Sequence, residues 1–398
     1  MTQFRWIVAL LLCIAATSSG QQLPPAQTES SQSPAASPLT LIPRSHAERE
    51  QRYRDLHRII LNVLAVDQSD LPATGLKPQD FVLIDNGRPQ ELATFREMHG
   101  EQVVVQPHII LVLDAVNNTS RNIAFEIKEI GKYLASNQES LKYPTSIATL
   151  TSAGFKTSQT SVDSSALLQE SKTLFNGIRP YECKGSADDA AHASLLSGHG
   201  DKSIGASVQK TDDGNCLNHK FTLSVTALGD LASAQKDVPG RVILIWIGPG
   251  WPLLTGPEFL ADTAEIKANF FDHIVHLSRT LREAQVTVDA VSSPDMFRQA
   301  AFESSPGKSL ADGPLTEKQA TANDLALQAI ATQSGGRILE SNSIAAQIAR
   351  CVADAQVYYA LSFDSIPSSQ PDEYHSLQVK VNKPGVTVFT NSLYYAEP

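Results

Sequence analysis

Cysteine and positive charge are both scarce in this chain, and each shortage narrows what it can be. Four cysteines in 398 residues cannot staple a disulfide scaffold, so the fold must rest on a buried core. Lys and Arg number 32 against 42 Asp and Glu, a formal net charge of -10. With no phosphate-tracking basic cluster, that balance argues against a nucleic-acid groove and for a soluble, acidic surface. No apolar run reaches the roughly 20 residues a membrane-spanning helix needs. Gly-x-Ser-x-Gly, His-Glu-x-x-His and the Rossmann glycine fingerprint are missing, and no cysteine stands beside a plausible base. Nucleophilic catalysis has no visible machinery, so the chain reads as non-enzymatic. A hydrolase with an unrecognised Asp and His set is the alternative.

The N-terminus has the layout of a secretory signal. A short head with Arg5 leads into the apolar run Trp6 to Ala16 and ends in Thr17-Ser-Ser-Gly20. Residues 1–20 are therefore expected to be removed and the protein exported to periplasm, cell surface or medium, with an uncleaved anchor as the rival reading. Cys13 lies inside that run. Of the other three cysteines, Cys183 and Cys216 bracket one polar insertion, whereas Cys351 falls in an apolar helical pattern. A Cys183–Cys216 disulfide with Cys351 reduced is the expectation, and three free thiols the alternative.

Residues 21–55 are rich in Gln, Pro and Ser and too poor in large apolar residues to offset the entropy of ordering, which predicts a flexible leader. From 56 to 98 short alternating runs are separated by Pro72, Gly75 and the turn Asp85-Asn-Gly87, the pattern of antiparallel strands. Then comes His108-Ile-Ile-Leu-Val-Leu-Asp114, an unbroken apolar run that stops at an acid. Such a run suits a strand buried on both faces, with Asp114 at its carboxyl end. Helical and strand periods alternate from there to about residue 355, interrupted by a polar insertion at 177–220 and an irregular stretch at 293–321. Strict alternation requires crossovers, hence a doubly wound, mainly parallel α/β sheet. Residues 357–396 return to short strands. The fold expected is this α/β domain, residues 105–355, inserted in or flanked by a small antiparallel β-sandwich made of 56–98 and 357–396.

Several phrases, taken together and in order, resemble the von Willebrand factor A related proteins of the acidobacterial type. They are Gly75-Leu-Lys-Pro-Gln-Asp-Phe81, Asp85-Asn-Gly-Arg-Pro-Gln90, Asp114 followed by Asn117-Asn-Thr119, Gly240-Arg-Val-Ile-Leu-Ile-Trp-Ile247 and Ser334-Gly-Gly-Arg-Ile338. The ending, Asp354-Ala-Gln-Val-Tyr-Tyr-Ala-Leu361 and Tyr374-His-Ser-Leu-Gln-Val-Lys-Val381, is similar too. The resemblance implies a domain used for adhesion and protein recognition. It also implies a cation site: an Asp-x-Ser-x-Ser loop, a Thr from a second loop and an Asp after a later strand, all hard oxygen ligands suited to Mg²⁺ or Ca²⁺. Asp114 matches the first acid. Val116 and Asn118 stand at the two serine positions, and the loop Gly248-Pro-Gly-Trp-Pro252 lacks the later acid. Thr222 or Thr226 is left to supply the threonine. A degenerate site that binds a macromolecular partner without strict metal dependence follows, with no cofactor required and Mg²⁺ or Ca²⁺ at Asp114 as the alternative.

The partner-binding residues expected are thus Asp114, Asn117, Asn118, Thr222 and Trp251, the last as an exposed aromatic at a loop tip. Asp114 has a plainer role open to it, accepting backbone N–H groups of its own loop. His192, His199, Cys216 and His219 share the insertion, but their spacing fits no tight zinc pair, and a solvated loop is preferred. Gly248 to Pro252 could cradle a phosphate; two prolines remove donors, so a structural turn is preferred.

Overall fold

The computed structural model describes residues 57–101, 105–137, 140–182, 212–251, 263–293, 309–366 and 368–397. The expected signal segment and leader lie outside the described residues. In chain order the strands are β1 (Arg58–Val66), β2 (Phe81–Asp85), β3 (Arg88–Gln90), β4 (Thr94–His99), β5 (His108–Asp114), β6 (Ser140–Thr151), β7 (Gly154–Thr157) and β8 (Ser161–Asp163). They continue as β9 (Val242–Ile247), β10 (Val286–Ser292), β11 (Ile338–Glu340), β12 (Val357–Asp364), β13 (Glu373–Val381), β14 (Thr387–Phe389) and β15 (Leu393–Ala396). The helices are α1 (Ser120–Ser136), α2 (Ser164–Leu174), α3 (Asp212–Ser233), α4 (Ala264–Glu283), α5 (Leu327–Gln333) and α6 (Ile344–Ala353).

The central sheet runs β11-β10-β9-β5-β6-β7, parallel from β11 to β6 and closed at one edge by antiparallel β7, with β8 also on β6. Its strands are apolar along their whole length because both faces are covered. Ile110, Val112, Leu244, Trp246 and Val288 face a layer containing α3, α4 and α5. Ile109, Leu111, Leu113, Ile243 and Ile245 face α1, α2 and α6. Asp163 starts α2 and Ser343 starts α6, each side chain accepting a backbone N–H of the first turn.

Two four-stranded sheets, β14-β1-β12-β4 and β15-β13-β2-β3, enclose a second core of Leu61, Val63, Phe81, Leu83, Tyr359, Phe363 and Leu377. Each sheet mixes strands from before and after the α/β domain: β1 pairs with β12 and β2 with β13, both antiparallel. The architecture is therefore a doubly wound α/β sheet whose flanking segments form an antiparallel sandwich. An ion network joins the two parts. Asp70, in the loop after β1, meets Arg337 and Arg350 at 2.8 Å each, and both arginines also hold Asp354 at the end of α6.

Three features depart from the sequence expectation. Helix α3 begins at Asp212, inside the stretch expected as loop to residue 220, because its amphipathic face docks on the sheet although its first turns are polar. Strands β7 and β8 are short edge strands with little apolar signal, and β15 is a terminal strand whose four residues are all buried and so show no alternation. The rest of the insertion, 183–211, lies outside the described residues.

Candidate functional site at the sheet's switch point

The chain enters the parallel sheet at β5, steps to β6 on one side and then to β9, β10 and β11 on the other. The carboxyl end of β5 is thus the point where strand order reverses, the usual place for a ligand crevice in an open α/β sheet. Asp114 is the last residue of β5 and is fully buried. Its Oδ1 accepts the backbone N–H groups of Val116 and Asn117, both at 3.0 Å. Its Oδ2 accepts from Asn117 Nδ2 at 2.9 Å and from the Trp246 indole Nε1 at 3.1 Å. Burial pushes the Asp114 carboxyl up, and these four N–H donors pull it back.

The neighbouring residues are committed in the same way. Asn117 Nδ2 also donates to Ser224 Oγ at 2.8 Å, and that hydroxyl donates to the Lys220 carbonyl one turn earlier in α3. Asn118 Nδ2 donates to Glu126 Oε2 at 2.8 Å, while its own oxygen accepts the Thr119 N–H. Asn117 and Asn118 therefore do gather around Asp114. Thr222 does not complete the set: it is two residues from Ser224 on α3, which on a helix directs it elsewhere, and its hydroxyl has no hydrogen-bond partner among the described residues. Ser224 holds the place expected for the threonine.

Sequence reasoning missed Trp246, Ser224 and Glu126. A signal existed for two of them. A buried indole N–H needs an acceptor, and Trp246 is the penultimate residue of β9, the strand paired with β5. Glu126 lies on the apolar stripe of α1, between buried Ile123 and Ile130. Burial, reinforced by the charge on Asp114, raises its carboxyl well above the ordinary value, which favours its protonated form in the fold. Because the folded state then binds a proton the unfolded chain has released, wild-type stability falls as pH rises above the unfolded value near 4.5. Glu126→Gln lacks this cost. Its stability relative to wild type should increase as pH is raised from 5 toward 8 in urea unfolding; a difference independent of pH would show that Glu126 is ionised in the fold.

Trp251 corrects the expectation of an exposed anchor. It is 2% exposed, packs edge-on against Trp246 with centroids 5.3 Å apart, and donates its indole N–H to the Leu325 carbonyl at 2.8 Å. The cause is the backbone of the preceding loop. Gly248 and Gly250 adopt φ of +146° and +77°, and a Cβ at Gly248 would lie 2.9 Å from Asp114 Cβ. The turn folds the indole under the sheet instead of presenting it to solvent.

What the rim does present is smaller. Tyr181 is tied to the loop after β5 by its N–H to the Ala115 carbonyl, 3.2 Å. Lys220 Nζ sits 5.9 Å from the Tyr181 ring centroid, and the His219 ring packs on the same tyrosine at 5.3 Å. Burial lowers the Lys220 ammonium pKa and Asp114 raises it again.

These donors and acceptors do not fit a divalent cation. Asp114 has spent its lone pairs on N–H groups, Asn118 is held by Glu126 and Thr119, and Val116 has no ligand oxygen. Among the described residues no group of three or more His, Cys, Asp or Glu is placed to hold a metal. His192, His199 and Cys183 lie outside the described residues. Cys351 is a free, buried thiol, and no described helix is long and apolar enough to cross a membrane.

No protein-family model and no curated protein sequence matches the chain. Solved structures give distant likenesses. An aerotolerance-related membrane protein from Bacteroides fragilis NCTC 9343 aligns at 12% identity and TM-score 0.31, over 62% of this chain and 98% of that one. BatB from Bacteroides thetaiotaomicron, a conserved hypothetical protein, aligns at 13% identity and TM-score 0.30, over 62% and 98%. A von Willebrand factor type A protein from Catenulispora acidiphila aligns at 7% identity and TM-score 0.29, over 84% and 72%. At such scores the fold class rests on the strand order and layering above, not on these likenesses.

Proposed function

We propose that this is an exported, non-catalytic interaction protein of the von Willebrand factor A related kind, which binds a macromolecular partner through the rim at the carboxyl end of β5. The supporting observation is that the rim sits at the switch point while its acid, Asp114, is consumed by four internal hydrogen bonds. Internal bonding of this kind makes Asp114 a rigid support for the loop. It leaves recognition to the side chains around it and makes binding independent of Mg²⁺ and Ca²⁺. A Cys183–Cys216 disulfide closing the insertion belongs to the same reading, since exported proteins meet an oxidising environment.

Site-specific photocrosslinking tests the rim. A crosslinker at exposed Ser120, in the first turn of α1, should capture a partner from envelope extract, whereas one at exposed Arg88 on the far sandwich edge should not. Capture at Arg88 alone, or equally at both positions, defeats the reading. Calorimetric titration addresses the metal: Mg²⁺, Ca²⁺ and Mn²⁺ should give no saturable heat with the mature protein. A saturable signal abolished by Asp114→Asn would restore a cation site.

A further inference from the structure

We infer that Asn86 is a deamidation site controlled by the sandwich: it stays unreactive while β13 holds its side chain, and it converts to isoaspartate in chains whose β2–β13 pairing has opened. The chemistry needs only water. The Gly87 nitrogen attacks Asn86 Cγ, its proton passes to the departing side-chain nitrogen, ammonia leaves, and a five-membered succinimide closes. Water then opens that ring at either carbonyl. Breaking the bond at Cγ leaves aspartate, and breaking it at the main-chain carbonyl leaves isoaspartate. Glycine at 87 favours the attack, because no side chain shields its nitrogen and a Cβ built there would meet nothing within 4 Å. Both residues are exposed, so water and hydroxide reach them.

The native turn opposes the same reaction. Asp85 pairs with Arg88, so Asn86 and Gly87 alone make the turn, and both have positive φ, +47° and +76°. That is a type I′ turn, whose first central residue has ψ of about +30°. In it the Gly87 nitrogen does not face Cγ, and the backbone must rotate about the Asn86 Cα–C bond before attack. Three contacts resist that rotation. Asn86 donates its N–H to the Ser376 carbonyl at 2.9 Å, and its Oδ1 accepts the Ser376 N–H at 2.9 Å and the Ser376 hydroxyl at 3.4 Å. All three come from one residue of β13, next to Leu377, which pairs with Asp85. Loss of the β2–β13 pairing therefore frees the Asn86 backbone and side chain together. Isoaspartate routes the main chain through the former side chain and adds one carbon to it, so the two-residue turn no longer fits between Asp85 and Arg88. Aspartate keeps the backbone, and its carboxylate can still accept from Ser376. Isoaspartate at 86 thus bars re-closure of the sandwich, whereas aspartate permits it.

Peptide mapping by mass spectrometry with electron-transfer fragmentation, which separates isoaspartate from aspartate, tests this on the full chain incubated at pH 8. Isoaspartate at 86 should form at least about tenfold more slowly in native buffer than in urea, since only the opened fraction reacts. Asn176-Gly177, the other Asn-Gly pair of the sequence, follows α2 in the α/β domain and serves as the internal reference. Asp85→Ala removes the carboxylate that holds His375 on β13 and Tyr394 on β15. In that variant the native rate at Asn86 should rise at least about threefold while the rate at Asn176 is unchanged. Circular dichroism checks the variant's fold, and the wild-type comparison of native buffer with urea stands without it. When wild type is part-deamidated in urea and diluted into native buffer, chains with isoaspartate at 86 should collect in the unfolded pool on size exclusion, and those with aspartate in the native pool. Equal rates at Asn86 in native buffer and urea, no isoaspartate at 86 in urea, an unchanged native rate or an equal rise at Asn176 in Asp85→Ala, or isoaspartyl chains in the native pool overturns the inference.

Discussion

Arg337→Ala is expected to lower the unfolding free energy by about 3–5 kcal/mol, the cost typical of removing one partner from a buried ion pair. Arg337 is only 6% exposed in its side chain and Asp354 only 3%. The guanidinium donates through Nε and Nη2 to Asp354, through Nη1 to Asp70 at 2.8 Å, and lies 4.4 Å from the Phe389 ring centroid. Burial pushes the Asp354 carboxyl up, and Arg337 and Arg350 only partly offset that rise. Without Arg337 the charge on Asp354 loses its bidentate partner. Asp289, already raised to about 6 by burial and then by Asp354, stands close behind it. Arg337→Lys should recover only part of the loss, since a single ammonium cannot span both acids. Urea unfolding at pH 7 measures the effect. A double-mutant cycle with Asp354→Leu separates the stranded charge from lost packing: the pair of changes should cost less than Arg337→Ala alone. A loss below about 1 kcal/mol for Arg337→Ala would mean that the network behaves as a solvated surface cluster.

The parallel strands were legible because burial on both faces writes an uninterrupted apolar run into the sequence, as in β5 and β9. Asp114 could be placed for the same reason: an acid that ends such a run must sit where the strand ends. Its partners were less legible. Trp246 lies more than a hundred residues away in the chain and meets Asp114 only through the pairing of β5 with β9. Ser224 was obscured by the insertion before it, which left no way to fix the phase of α3. Trp251 was misread because its direction depends on two positive-φ glycines and on a carbonyl at Leu325, none of which periodicity reports. Strand β15 was missed because all four of its residues are buried, so the alternation that marks a half-exposed strand is absent.

Asp85→Ala should cost about as much as the loss of Arg337, roughly 3–5 kcal/mol, and it should act on the other part of the molecule. Asp85 ends β2 with no exposed surface, just before the Asn86-Gly87 turn, whose two residues have φ of +47° and +76°. Its Oδ1 accepts the His375 Nδ1–H at 2.9 Å and its Oδ2 accepts the Tyr394 hydroxyl at 2.8 Å. Burial first, and then the charge on Asp85, drives the Tyr394 phenol far above its ordinary value, so it remains a donor at any pH of interest. One carboxylate thus fastens β13 and β15, near the end of the chain, to β2, near its beginning. Alanine removes the acceptor of both ring groups; the Tyr394 hydroxyl, 2.9 Å from His375 Nδ1, can then donate only to that ring nitrogen, and His375 Nε2 has no partner among the described residues. Asp85→Asn keeps one acceptor oxygen and should lose about half as much. Hydrogen exchange locates the effect: amides of Leu393–Ala396 and of the β2–β13 ladder should exchange faster in Asp85→Ala, while those of β5 and β9 stay protected. Uniform acceleration in both regions would mean that sandwich and α/β sheet unfold as one cooperative unit, and a stability loss under about 1 kcal/mol would mean that the trio does not fasten the chain ends.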